Sequence, residues 1–253
     1  MRRPFVRTLL AGIFATSLIP VSAQTPESAR DRELDRLSGF WVTRFDLEPY
    51  EKTMIDALPR GTHLLTDTGT VPELALGDFG GLKLTPEALA QVEAFDPAAQ
   101  RGPSEACVPP SLVYFMQAPF PMEVHTSPEM IVLKMEYYDL VRIIFLDGRE
   151  HPADNPHTKS GHSVGHWEGD TLVVDTTRVA AATFMNNGFN HSDDMHVVER
   201  FRLSPDGTTL WITQVYDDPA TFEGLAARYM AYTKVPEGGY VYPFDCNPGY
   251  SLN

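Results

Sequence analysis

Six of the eight histidines lie between positions 140 and 200, among acidic and basic side chains. His162 and His166 stand in Gly161-His162-Ser163-Val164-Gly165-His166-Trp167-Glu168-Gly169-Asp170-Thr171-Leu172-Val173-Val174-Asp175-Thr176. His151 follows Asp147-Gly148-Arg149-Glu150, and His191-Ser192 opens a run that continues through His196-Val197-Val198-Glu199-Arg200-Phe201. An imidazole titrates near neutral pH, so it can take a proton and return it without a cofactor. Arg142 sits inside an otherwise apolar strand, Val141-Arg142-Ile143-Ile144-Phe145-Leu146. A lone charge there would cost on the order of several kcal/mol, so it is either paired, with Glu136, Asp175 or Glu199 as candidates, or presented to a ligand. The set expected to carry chemistry is His162 and His191 as general base and acid, His151 in support, and Arg142 against a developing negative charge. Tyr137, Tyr138, Phe145 and His196 are expected to contact substrate.

Other chemistries find less support in the spacing. His162 and His166 are four apart, which on a strand is about 13 Å, too far for both to hold one ion without a bulge. No His-Glu-x-x-His run is present, nor a Gly-x-Ser-x-Gly elbow, a phosphate loop or a dinucleotide fingerprint. No metal ligand and no cofactor are therefore assigned.

These residues need strands to place them. The apolar runs on either side of Glu168-Gly169-Asp170 read as a tight β-hairpin, in which glycine supplies the positive φ. From 113 onward the chain reads as short strands broken by turns, nine or ten in all, with a polar loop over 180–190. A second hairpin is expected over 197–203 and 210–216, and a last strand over 228–235. Upstream, Gly39-Phe40-Trp41 opens a first strand. Residues 47–110 lack strand periodicity and read as a lid or a wrap, with one helix from Thr85 to about Phe95 begun by a hydroxyl N-cap and a proline. The expected fold class is all-β: an antiparallel, lipocalin-like β-barrel with a long N-terminal loop and helix insertion. Residues 37–253 would form that single domain, preceded by a polar leader over 24–36.

The first residues, with Arg2, Arg3 and Arg7 before an apolar run and Val21-Ser22-Ala23, read as a secretory signal peptide over 1–23, which places the protein in the periplasm. Losing those three arginines takes the formal charge from −14 to about −17, which argues against nucleic acid or an anionic membrane as partner. A small molecule is the expected partner, and the oligomeric state is left open. Cys107 and Cys246, the two cysteines, are expected to pair in an oxidising compartment rather than to supply a nucleophile.

The patterns Asp147-Gly148-Arg149-x-His151-Pro152, Gly161 to Thr176 and His191-Ser192-x-x-x-His196-Val197-Val198-Glu199-Arg200-Phe201 resemble an exported bacterial family of mostly hypothetical proteins, over roughly residues 105–247. The resemblance implies a lipocalin-type barrel and carries no activity with it. Arg178-Val179-Ala180 stands where that family more usually has a glycine-aromatic pair. Taken together, the residues point to a cofactor-independent lyase or isomerase acting on a hydrophobic small molecule, aromatic ones included. A non-catalytic binding barrel and a metal-dependent hydrolase are the alternatives.

Overall fold

In the computed structural model of the protein, residues 27–47, 50–65, 74–96, 107–185 and 187–247 are described; the signal segment expected over 1–23 lies outside them. Strand alternation is cleanest in β10 (His196–Leu203), where Val197, Glu199, Phe201 and Leu203 are buried and the residues between them are not. Side chains on a strand point to opposite faces in turn, so one face of each strand fills the interior and the other forms the outer wall.

The remaining wall strands are β1 (Gly39–Arg44), β3 (Met122–Thr126), β4 (Met130–Met135), β5 (Val141–Phe145), β6 (His162–Glu168), β7 (Thr171–Thr177), β11 (Thr209–Asp217) and β12 (Ala226–Lys234). They hydrogen-bond in the order β1-β3-β4-β5-β6-β7-β10-β11-β12, and β12 pairs back onto β1, which closes a nine-stranded barrel of broadly lipocalin-like form. A short β2 (His63–Leu64) adds parallel to the end of β12.

The expectation of a wholly antiparallel, all-β chain is corrected in two respects. Nine strands cannot alternate in direction all the way round a closed ring, so one neighbouring pair must run parallel. That pair is β5 and β6, with Ile144 opposite Ser163, joined by the crossover of residues 146–161 that carries Arg149 and His151. Besides α3 (Pro86–Glu93), the helix expected from Thr85, the described residues include helices α1 (Glu27–Leu37), α2 (Lys52–Asp56) and α4 (Leu112–Phe115). In α3 the Thr85 side chain accepts from the Ala88 amide at 3.2 Å, as a hydroxyl N-cap should. Residues 112–116, expected at the start of the strand series, instead form α4 and its C-cap. Leu112, Val113, Phe115 and Met116 are fully buried, and Tyr232 on β12 donates to the Met116 carbonyl. The segment expected as a polar loop over 180–190 folds as a small hairpin, β8 (Ala182–Met185) with β9 (Phe189–His191), because Phe184 and Phe189 stack at 5.2 Å and are buried.

The barrel interior is packed. Trp41 is fully buried in β1, and its indole N–H donates to the Leu37 carbonyl at 2.8 Å. α1 docks through Leu34 and Leu37. Cys107 and Cys246 form a disulfide across a sequence separation of 139 residues.

Candidate functional site

The β6–β7 hairpin turns at Gly169-Asp170, with Glu168 opposite Thr171 and Gly169 at φ 65, the glycine-first form of a two-residue turn. Its register places Val164 opposite Asp175 and His162 opposite Thr177. Ser163 and Thr176 are buried inside, so the alternating His162, Val164, His166, Val173 and Asp175 form the outer wall. On the far side of β7, Val198 of β10 lies opposite Asp175, and His196 lies on the same outer face. The β5–β6 crossover returns along this wall and brings in His151, whose backbone is held extended by Pro152.

The outcome is a continuous chain of hydrogen bonds on the outside of the barrel. His196 Nε2 lies 2.8 Å from Asp175 Oδ2, His151 Nε2 lies 3.0 Å from Asp175 Oδ1, and His151 Nδ1 lies 2.8 Å from His162 Nδ1. A carboxylate only accepts, so His151 and His196 each donate from Nε2. His151 Nδ1 then offers a lone pair, His162 Nδ1–H donates to it, and the lone pair of His162 falls on Nε2. That nitrogen has no hydrogen bond and is not sealed from solvent. Phe145 stacks on the His162 ring at 5.3 Å, and the Arg149 guanidinium lies 3.7 Å above the Phe145 ring. Arg149 is aimed by Asp147, its Nε 2.9 Å from Oδ1, and this contact holds the Asp147 carboxyl down at about 2.

The two ends of the chain titrate in opposite senses. Partial burial, His151 and the Arg149 charge push the His162 pKa down, which keeps the imidazole a neutral base. The hydrogen bond His196 donates to Asp175 pushes its pKa up and favours the imidazolium, while Asp175 itself is lowered chiefly by His196. His196 also borders a groove of about 270 Å³ on the outer face of β10 and β11, walled by Leu58, Pro59, Val198, Val215 and Leu225.

The residues singled out from the sequence therefore separate into four places. His151, His162, His196 and Phe145 meet on the outer wall. Arg142 lies in the interior, wholly buried: Nη1 is 3.0 Å from Glu199 Oε1 and a second ion-pair contact joins Nη2 to Oε2. Nε lies 3.2 Å from Ser163 Oγ, and Nη2 3.1 Å from Thr176 Oγ1. Gln214 donates to Glu199 at 2.8 Å and accepts from Tyr216 at 2.6 Å, which completes the network. His191 lies in a third position, buried at the end of β9. Its Nδ1–H donates to the Ser192 carbonyl and its Nε2 accepts from Ser111 Oγ, both at 2.7 Å. Burial pushes its pKa down. Tyr137 and Tyr138 belong to a 3-10 turn (Tyr137–Asp139) and pack against Phe120 and Phe244 rather than on the relay.

Two members of the outer site carry roles the sequence reading did not give them. Asp175 is the joint of the relay, not just one possible orienting neighbour, and Arg149, two residues before His151, is the arginine that reaches it. Among the described residues no three His, Cys, Asp or Glu side chains are grouped to hold a metal ion, and no helix is long and apolar enough to cross a membrane. No known family model matches the chain, and no curated protein is similar to it in sequence.

Proposed function

We infer that the outer relay makes this protein an acid–base catalyst of the lyase or isomerase type, acting on a small molecule with a hydrophobic body. The observation that carries the reading is the opposed setting of His162 and His196 at the two ends of one hydrogen-bonded chain. Paired groups whose surroundings drive their pKa values apart are the usual mark of a base and an acid working together. In this assignment His162 Nε2 removes a proton, and the positive charge it gains is stabilised through His151 by the Asp175 carboxylate. Arg149 takes the part expected of Arg142 and neutralises charge on the carbanion or oxyanion as it forms. His196 returns a proton to the product or leaving group, and the groove beside it receives the apolar part of the substrate. The N-terminal leader and the resemblance to exported bacterial proteins support a periplasmic site of action.

The test follows deuterium incorporation from D2O into a panel of enolisable aryl ketones by proton NMR. The protein is expected to catalyse exchange in at least one member, and His162→Gln is expected to slow it by about 100-fold or more, the usual size of a general-base contribution. Equal exchange in the two proteins removes the assignment.

A further inference from the structure

A second cavity, of about 430 Å³, lies against β8 and β9 and shares no residue with the relay. Its size is that of a site for a compact organic molecule. Tyr114 and Tyr137 stand on one part of its wall with their rings 6.4 Å apart and 26° from parallel, and Phe95 and Met185 add apolar surface. Burial and the neighbouring Tyr114 and Tyr138 drive the Tyr137 pKa upward, so its hydroxyl stays neutral. Pro109 and Pro110 stiffen the rim immediately after the disulfide at Cys107.

Among the described lining residues a single one is charged, Lys159. It is half-buried, and among the described residues its ammonium has no hydrogen bond or ion pair. Lys159 thus gives the described wall its one charge, a positive one, in a chain with 34 acidic residues against 20 basic ones. Four arginines elsewhere are held by carboxylates: Arg142 by Glu199, Arg149 by Asp147, Arg200 by Glu168 and Arg202 by Asp170. The charge of Lys159 is felt at His191, where it adds to the effect of burial. Partial removal of the ammonium from water is unfavourable, and an anion brought into the cavity would reverse that penalty.

We propose that this cavity is a binding site for an aromatic carboxylate, with the ring system against Tyr114 and Tyr137 and the carboxylate on Lys159. A planar body suits an aromatic wall, and the single cation on it sets the ligand at one negative charge. Asn190 and Thr183, also on the wall, are placed to add hydrogen bonds to the carboxylate oxygens or to a ring substituent. The site is independent of the relay, so a bound carboxylate need not be the molecule on which the relay acts.

The test uses naphthalene-2-carboxylate and its uncharged counterpart naphthalene-2-methanol, with binding measured by calorimetry on the full chain. The carboxylate is expected to bind at least tenfold more tightly than the alcohol. Lys159→Met is expected to abolish that difference and Lys159→Arg to keep most of it. Ala182→Trp, which fills the cavity from β8, is expected to remove binding of both, and far-UV circular dichroism and the melting temperature confirm that each variant is folded. His162→Gln is expected to bind the carboxylate as the unaltered protein does, which separates this site from the catalytic reading. Absence of binding, equal affinity for acid and alcohol, or a full preference surviving in Lys159→Met would each overturn the proposal.

Discussion

Asp175 divides its two carboxylate oxygens between two histidines, and that division sets the titration of the outer site. His196, bonded to Oδ2, has its pKa raised above 6.5, and His162, at the far end beyond His151, has it lowered below 6.5. The native state therefore holds a proton on His196 more tightly than the unfolded chain does. That stabilisation is complete below pH 6.5 and is lost as the pH rises through the native value. His162 has the opposite sign: the native state resists its protonation, so stability falls as the pH drops from 6.5 through its depressed value. Two-dimensional NMR of the imidazole carbons should show His162 titrating below 6.5 and His196 above it, and Asp175→Asn should bring His196 back toward 6.5. A His196 midpoint unmoved by that substitution would disprove the relay. Because the base must be neutral and the acid protonated, turnover should follow a bell whose rising limb reports His162 and whose falling limb reports His196. His151, His162 and His196 could be picked out from the sequence because residue type and strand alternation are local properties. Their partners could not: Asp175 becomes the joint only through the β6–β7 and β7–β10 registers, and Arg149 only through the path of the crossover.

At the level of elements, the sequence shows most where one side chain dictates one backbone conformation. Gly169 at φ 65 gives the β6–β7 turn, and Thr85 followed by Pro86 gives the start of α3. It shows less where tertiary burial overrides local polarity, as in the β8–β9 hairpin, where Asn and Gly residues surround two phenylalanines that pack on Phe222. There Gly188 adopts φ 105 with Phe95 against it, and a β-carbon would come within 2.4 Å of that ring. Of the long segment before α4, β2 pairs with β12, and the C-terminal end is tied down covalently by the Cys107–Cys246 bridge. The same bridge holds the tail whose Tyr242 and Phe244 amides donate to Glu136 and Asp139. A closed loop of that length is worth up to about 5 kcal/mol by the chain-entropy model. The double variant Cys107→Ser with Cys246→Ser should lose about 2 to 5 kcal/mol in urea unfolding. Each single variant should lose a similar amount, and an unchanged midpoint would mean the tail is held by its hydrogen bonds alone.

Across the whole molecule, the feature that distinguishes this barrel is what occupies its axis. Arg142 from β5 and Glu199 from β10 meet inside, and Ser163, Thr176 and Gln214 satisfy the remaining donors and acceptors. Around them pack Leu133, Ile144, Val174, Val197, Ile212 and Tyr232, so the interior is a core, and the hydrogen-bonded histidine relay lies on the outer wall. The sequence could place Arg142 on one face of β5 and name Glu199 among its possible partners. It could not say which face turns inward, because that depends on the closure of nine strands. A buried pair of this kind contributes modestly when whole and is harmful when halved: removing one member leaves the other charged and desolvated, at about 3 to 5 kcal/mol. Arg142→Met and Glu199→Leu should each lower stability by about that amount. The double variant should be more stable than either single one, since no charge is then left unpaired. If Arg142 instead served the reaction, the double variant would fold and lose turnover. The outward geometry of the relay predicts that it folds, keeps the His162 and His196 titrations, and retains the deuterium-exchange activity of the unaltered protein.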